Sequence, residues 1–239
     1  MSGPLQFAGL PLAVKANPRA KRVLVKLMPG LGLEVVVPRR FDASLVPSIL
    51  EEKRAWIERT RDRMLAAGID LSGTLPELPE VIEYRAWERT VRVDYLDRPG
   101  AIRLTENAAR WQVAGPLAGR EAIFEKLRAL TVKKAREVLL PWLDRTSRRT
   151  GLVYSALRVR RQKTRWGSCS SRGTISLNAK LLFLPPDLVD HLLLHELCHT
   201  RHMNHSPAYW ACVAGFEPDY RRLENAVSRG NRYVPAWFR

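Results

Sequence analysis

All five histidines of this 239-residue chain fall between His191 and His205. Three of them stand in the order that a hydrolytic zinc site requires: His195-Glu196-Leu197-Cys198-His199, then His205. Helical residues four apart share one face, so His195 and His199 can meet one ion with Glu196 beside it. Zinc takes imidazole nitrogen at about 2.0–2.1 Å, and a catalytic site keeps three protein ligands and leaves a fourth position to water. Zinc-bound water titrates near neutral pH, and a carboxylate within reach takes its proton as the water attacks a polarised carbonyl. The pattern assigns His195, His199 and His205 to one Zn2+ per chain and Glu196 to the catalytic base.

The flanking residues predict the elements that must position this set. Pro185-Pro186-Asp187 followed by a mostly apolar run to Leu194 reads as a helix start, with Asp at the positive end of the dipole. A chance cluster on an ordinary helix is the competing reading. It would leave imidazoles and a carboxylate buried without partners. Arg201-His202-Met203-Asn204 predicts the exit, with Asn204 in the left-handed conformation, and Ser206-Pro207 predicts the cap and first residue of a helix through Tyr209, Trp210 and Val213. His191 and His202 read as packed or supporting residues, His202 also as a group to steady an oxyanion.

Other metal-site classes fit less well. Metzincins share the spacing but carry Gly where this chain has His202, and no Met follows Met203 to make their Met-turn. A thermolysin-like arrangement would take a later Glu, Glu217 or Glu224, as third ligand, and His205 is the simpler choice. Cys169, Cys198 and Cys212 complete no usual structural zinc spacing.

Trp166-Gly167-Ser168-Cys169-Ser170, Gly173-Thr174-Ile175-Ser176-Leu177-Asn178, the helix motif, and Asn204-His205-Ser206-Pro207 with Trp210 together resemble the YgjP-like metallopeptidase family. The Trp-Gly and helix motifs are also similar to the more distant SprT-like and WLM zinc proteases. The specific part spans roughly residues 158–220, and residues 18–157 agree only in the order of strands and helices. The resemblance implies a zincin-like C-terminal domain, zinc on His195, His199 and His205, and Glu196 as base. It implies nothing for His191 and does not name the substrate.

Thr174 to Ala179 alternates with period two, as a half-buried strand does. It serves either as a cleft edge that holds an extended peptide or as a purely structural strand. Lys plus Arg number 40 against 24 Asp plus Glu, a formal charge of +16, which favours polyanionic partners. Arg158 to Arg165 forms a basic lip before the Trp-Gly motif, read either as a nucleotide or nucleic-acid contact or, preferably, as a solvated edge strand.

Three cysteines without regular spacing give no disulfide framework, Met1 to Val14 makes a poor signal peptide, and no stretch has the apolar length of a membrane span. A cytoplasmic, soluble protein with no membrane partner is expected. Val23, Val25 and Leu27 against Leu33, Val35 and Val37 predict a hairpin around Pro29 to Gly32, and Pro47 to Ala67 predicts one amphipathic helix. A second β-rich stretch contains Val91, Val93, Tyr95, Ile102, Leu104, Trp111 and Val113. Gly115-Pro116 then precedes a helical pattern from about Arg120 to Arg149, kinked or interrupted near Pro141.

The expected class is α+β: a β-rich N-terminal region with one helix over 1–115, then over 116–239 a zincin-like metallopeptidase domain with a small antiparallel sheet. No internal repeat is visible. The leading function is a zinc metallopeptidase acting on polypeptide through water activated by Glu196. The alternatives are a metal-dependent hydrolase of nucleotide phosphoanhydrides and a DNA-associated SprT-like protease.

Overall fold

Alternating apolar residues build three sheets, and the last of them packs against the helix that bears the histidines. The computed structural model describes residues 5–28, 30–66, 69–73, 75–107 and 110–239. Pro29 of the expected hairpin turn, Ala67 at the end of the expected helix, and Met1 to Pro4 of the leader reading lie outside these. The described chain divides into two compact units, one ending at Glu77 and one spanning Leu78–Phe238.

The first unit holds β1 (Gln6–Phe7), β2 (Leu10–Ala16), β3 (Leu24–Met28) and β4 (Gly32–Val37) in the order β1-β2-β4-β3. The expected hairpin is β3 against β4, with Leu27 opposite Leu33 and Val25 opposite Val35. Leu33, Val35, Val37, Leu50 and Ile57 form its core. The expected single helix is two: α1 (Val46–Glu52) and α2 (Arg54–Ala66), parted at Lys53, where φ −96° and ψ 3° leave the helical region. Ile57 of α2 is buried, and its neighbour Trp56 is exposed.

The second unit opens with β5 (Val81–Tyr84), β6 (Arg89–Asp97), β7 (Arg103–Glu106) and β8 (Arg110–Gly115), ordered β5-β6-β8-β7. In both four-stranded sheets the central pair is parallel and the flanking pairs antiparallel. The topology is therefore repeated although the sequence shows no repeat, because strand order needs only the apolar alternation and not particular side chains. Next comes α3 (Arg120–Thr150), which runs unbroken past Pro141 and stops at Gly151, whose φ of +67° suits glycine.

The domain boundary expected at Gly115-Pro116 is corrected by this packing. Ile82, Tyr84, Val91, Trp111 and Val113 share one core with Ile123, Phe124 and Leu127 of α3, and the Tyr84 and Thr131 hydroxyls meet at 2.7 Å. A turn inside a shared core punctuates the chain without dividing it.

The small sheet comprises β9 (Ala156–Arg160), β10 (Gly167–Cys169) and β11 (Thr174–Asn178), ordered β10-β11-β9. It is mixed, not antiparallel as expected: β11 runs parallel to β9 and antiparallel to β10. Because β11 is central, the expected cleft-edge role does not fall to it. The free edges are β10 and β9, and β9 carries exposed Arg158 and Arg160. Ile175 and Leu177 of β11 point into the core.

The chain ends in α4 (Pro186–Cys198), α5 (Pro207–Phe216) and α6 (Tyr220–Ser228). α4 touches α3, β10, α5 and α6. That enclosure explains why Leu188, Val189, Leu192, Leu193, Leu194 and Leu197 are all buried. Trp142 of α3 donates to Asp190 of α4 at 2.6 Å. Among the described residues, no helix is long and apolar enough to cross a membrane.

Candidate metal centre

α4 begins as expected, with proline in its first turn and Asp187 at the positive end of the dipole. It ends sooner than expected. His199 is already the C-cap, and the amides of Arg201 and His202 both return to the Cys198 carbonyl. Among described residues other than glycine, only Ala8 and Glu88 have positive φ, so Asn204 does not take the left-handed role expected of it. The tight turn at 199–202 does that work instead. Ser206 then caps α5 with its side chain on the Tyr209 amide, and Pro207 opens the helix, as its sequence predicts.

This corner brings His195, His199 and His205 together, with one possible ligand atom from each lying within 4.8 Å of the others. The ring centroids stand 5.1 Å apart for His195 and His199, 4.7 Å for His199 and His205, and 5.1 Å for His195 and His205. The back nitrogens show which way the lone pairs face. His199 Nδ1 lies 3.0 Å from the His202 carbonyl oxygen, and His195 Nδ1 lies 2.8 Å from Glu224 Oε1. Both partners accept, so each Nδ1 carries the proton and each Nε2 is left with a lone pair.

His205 Nε2 approaches His195 Nε2 to 3.2 Å. Two nitrogens facing at that distance need a shared proton or a cation between them. Three neutral imidazoles form a donor set that suits zinc and several other transition metals.

Glu196 is 3 % exposed, and its Oε2 is buried without a hydrogen-bond partner among the described residues. Burial pushes its carboxyl up to about 7; the Glu224 charge adds to this, while His195 and Arg165 oppose it. A dication beside it would pull it back toward the ionised form. The carboxylate rests against Gly167 of the Trp-Gly motif. A Cβ at Gly167 would stand 2.8 Å from Glu196 Cδ and Cγ and nearer still to Oε1. Glycine is therefore the residue that leaves the Glu196 carboxylate its seat.

Aromatic rings hold the imidazoles. Tyr209 stacks on His199 with centroids 4.5 Å apart and its hydroxyl donates to the His195 carbonyl at 3.1 Å. Trp210 stacks on His205 at 5.5 Å, and Tyr220 on Trp210 at 5.2 Å. This column matters most for His205, the exposed member of the three. Asn178, 1 % exposed, donates to the carbonyls of Gln162 and Arg165 at 2.8 and 2.7 Å, and so fixes the strand entry to Trp166-Gly167.

Residues 21–229 match the YgjP-like metallopeptidase domain. The chain belongs to the YgjP-like metallopeptidase family. It is thus a metallopeptidase, a hydrolase whose family implies a metal and whose substrates are polypeptides. No curated protein matches the chain. One similar solved structure is the metallopeptidase zymogen of Pyrococcus abyssi abylysin, at 25% identity over 36% of this chain and 87% of that one, with a TM-score of 0.33.

Within this YgjP-like chain the other candidates separate cleanly. Glu217 is not among the residues gathered around the histidines, and Glu224 lies behind His195 at Nδ1, opposite the nitrogen that faces His205. His191, His195 and Glu224 form a second close trio, but its separations of 3.1 and 2.8 Å are hydrogen-bond lengths. His202 contributes its backbone carbonyl to His199. Cys198 turns away to Cys212, with the sulfurs 3.7 Å apart. The roles of Tyr209 and of the seat at Gly167 are not visible in the sequence, where their only signal is membership of the motif strings around the histidines.

Proposed function

We propose that this YgjP-like protein is a zinc-dependent peptidase in which His195, His199 and His205 hold the ion and Glu196 is the general base. One observation carries the reading: imidazole lone pairs converge beside a buried carboxylate oxygen that has no partner among the described residues. Zinc in such a set supplies Lewis acidity, which acidifies water and polarises a carbonyl. The rest is done by the chain.

Glu196 accepts one proton from the attacking water at its carboxylate. As the peptide C–N bond breaks, it passes that proton to the departing nitrogen, while the water oxygen stays on the carbonyl carbon. Burial raises its proton affinity toward neutrality, which favours the uptake without making the return prohibitive. Gly167 gives it room, and the enclosing apolar residues of α4 exclude competing water.

A substrate seat is available at β10. The pairs Trp166–Asn178 and Ser170–Thr174 are hydrogen-bonded across to β11. By the antiparallel alternation, Gly167 and Cys169 turn their backbone N–H and C=O groups to the free edge. An extended polypeptide docking there would lie alongside Glu196.

The test is product analysis by mass spectrometry after the zinc-loaded protein meets an unfolded polypeptide, with nucleoside triphosphates as the competing substrate class. Wild type is expected to yield peptide fragments, and Glu196→Gln with zinc still bound to lose about 10²–10⁴-fold in rate. Full cleavage by the Gln variant would remove Glu196 from the mechanism. Nucleotide products with intact polypeptide would move the chemistry to phosphoanhydrides.

A further inference from the structure

The metal-centre reading uses Glu224 of α6 only as the acceptor behind His195 Nδ1 and gives no role to His191, 1 % exposed on α4. His191 lies one turn before His195 on the same helical face. Its Nε2 is 3.1 Å from Glu224 Oε1, and His195 Nδ1 is 2.8 Å from that same oxygen. His191 Nδ1 is buried with no hydrogen-bond partner among the described residues. The His191 proton therefore sits on Nε2 and points at the carboxylate, because that is where an acceptor is.

We propose that Glu224, braced by His191, is a positioning residue that fixes the tautomer and ring orientation of His195. The proposal rests on His195 being a metal ligand. Glu224 acts through His195: an acceptor-only oxygen behind Nδ1 draws the ring proton there and leaves Nε2 bare on the side of His199 and His205. Two N–H donors meeting on one oxygen also fix that oxygen in place, since a shift toward either ring lengthens the other bond. His191 thus has a role that the spacing of the metal motif does not require. The contact is tertiary, made by α6 packing on α4.

Glutamine separates the hydrogen bond from the charge. The Glu224 side chain is 31% exposed, so Glu224→Gln can keep its amide oxygen on the two histidines and turn its NH2 toward water. Glu224→Ala removes the acceptor altogether.

The experiment is histidine-ring nitrogen NMR on the metal-free protein, with zinc affinity measured by chelator competition, for wild type, Glu224→Gln, Glu224→Ala and His191→Leu. His199→Ala is the control for the metal centre itself. Wild type and Glu224→Gln are expected to show His195 in the single Nδ1–H tautomer. Glu224→Ala is expected to mix tautomers and to bind zinc about 10- to 100-fold more weakly, Glu224→Gln to recover part of that loss, and His191→Leu to lose less, in the same direction. If His199→Ala loses zinc while Glu224→Ala keeps wild-type affinity and tautomer, the positioning role is refuted and the metal centre stands. If His199→Ala binds zinc as wild type does, the metal-centre reading falls and takes the proposal with it. Should Glu224→Ala fail to fold, mixed His195 tautomers in folded Glu224→Gln would refute the proposal, and a single tautomer would uphold it.

Discussion

Gly167→Ala separates placement of the base from binding of the metal. Gly167 does not lie at positive φ, so alanine meets no backbone strain there, and the whole effect must come from the added methyl. That methyl would stand 2.8 Å from Glu196 Cδ and Cγ, where ordinary contact begins at 3.4 Å. The carboxylate must therefore retreat by about 0.6 Å, and Oε1 by more, an error of the size that costs about 30- to 100-fold in rate when a catalytic group is misplaced. In free energy this is about 2–2.7 kcal/mol of transition-state stabilisation. The clash is with the end of a side chain, so the stability loss should stay at about 1 kcal/mol, the low end for added core volume. The imidazoles are untouched, and zinc affinity should not change. The assay is kcat and KM on an unfolded polypeptide, with zinc affinity and a denaturant melt on the same samples. A variant with wild-type kcat would refute the seat. A variant that also loses zinc would show that Gly167 serves the metal geometry instead of the base.

Two further outcomes can be checked on the same protein. Burial lowers His199 and His205 below the usual 6.5, with the His195 charge lowering both further and the His202 carbonyl and Glu224 opposing at His199 and His205 respectively. Lowered imidazoles stay neutral to lower pH, so zinc affinity should hold to below the usual imidazole value of about 6.5 and then fall steeply with acid, and an affinity unchanged well into the carboxylate range, about pH 4, would contradict imidazole ligation. Asn178→Ala should lower stability by about 2 kcal/mol by stranding the carbonyls of Gln162 and Arg165, and a urea midpoint equal to wild type would show that Asn178 does not clamp the entry to Trp166.

What could be read from sequence followed the range of the interaction. Helical spacing is local, so the sharing of one face by His195 and His199 is legible in the sequence alone, and so is the cap at Ser206-Pro207 that opens the helix after His205. Glu224 lies 29 residues beyond His195. Nothing in its surroundings distinguishes a third ligand from a partner behind the ring; only the packing of α6 on α4 decides it. Gly167 is visible as part of a motif but not as a seat, because the atom it makes room for belongs to another element. The expected boundary fails for a related reason. Gly115-Pro116 is strong local punctuation, yet Trp111 and Phe124 on either side of it share a core, whereas the division falls within the plainer Leu75-Pro76-Glu77-Leu78-Pro79.

The charges around His195 give these separate observations one cause. Glu224 lies behind the ring; burial pushes its carboxyl up, but the hydrogen bonds and charges of His191 and His195 together outweigh this and lower it to about 2. Glu196 is raised to about 7 by burial and by that same Glu224 charge. Without a cation, burial disfavours the Glu196 charge, Glu224 adds to this and His195 opposes it, so Glu196 is the carboxylate that holds its proton more readily. A dication held by His195, His199 and His205 would reverse this, because its charge would balance both carboxylates, and metal binding would then be linked to ionisation of Glu196. On the proposed reading, Glu196 would be largely protonated below about pH 7 without metal, and a bound dication would leave it ready to accept a proton. Among the described residues Glu196 Oε2 is buried without a partner, a cost to stability that would suit the proposed role of accepting a proton.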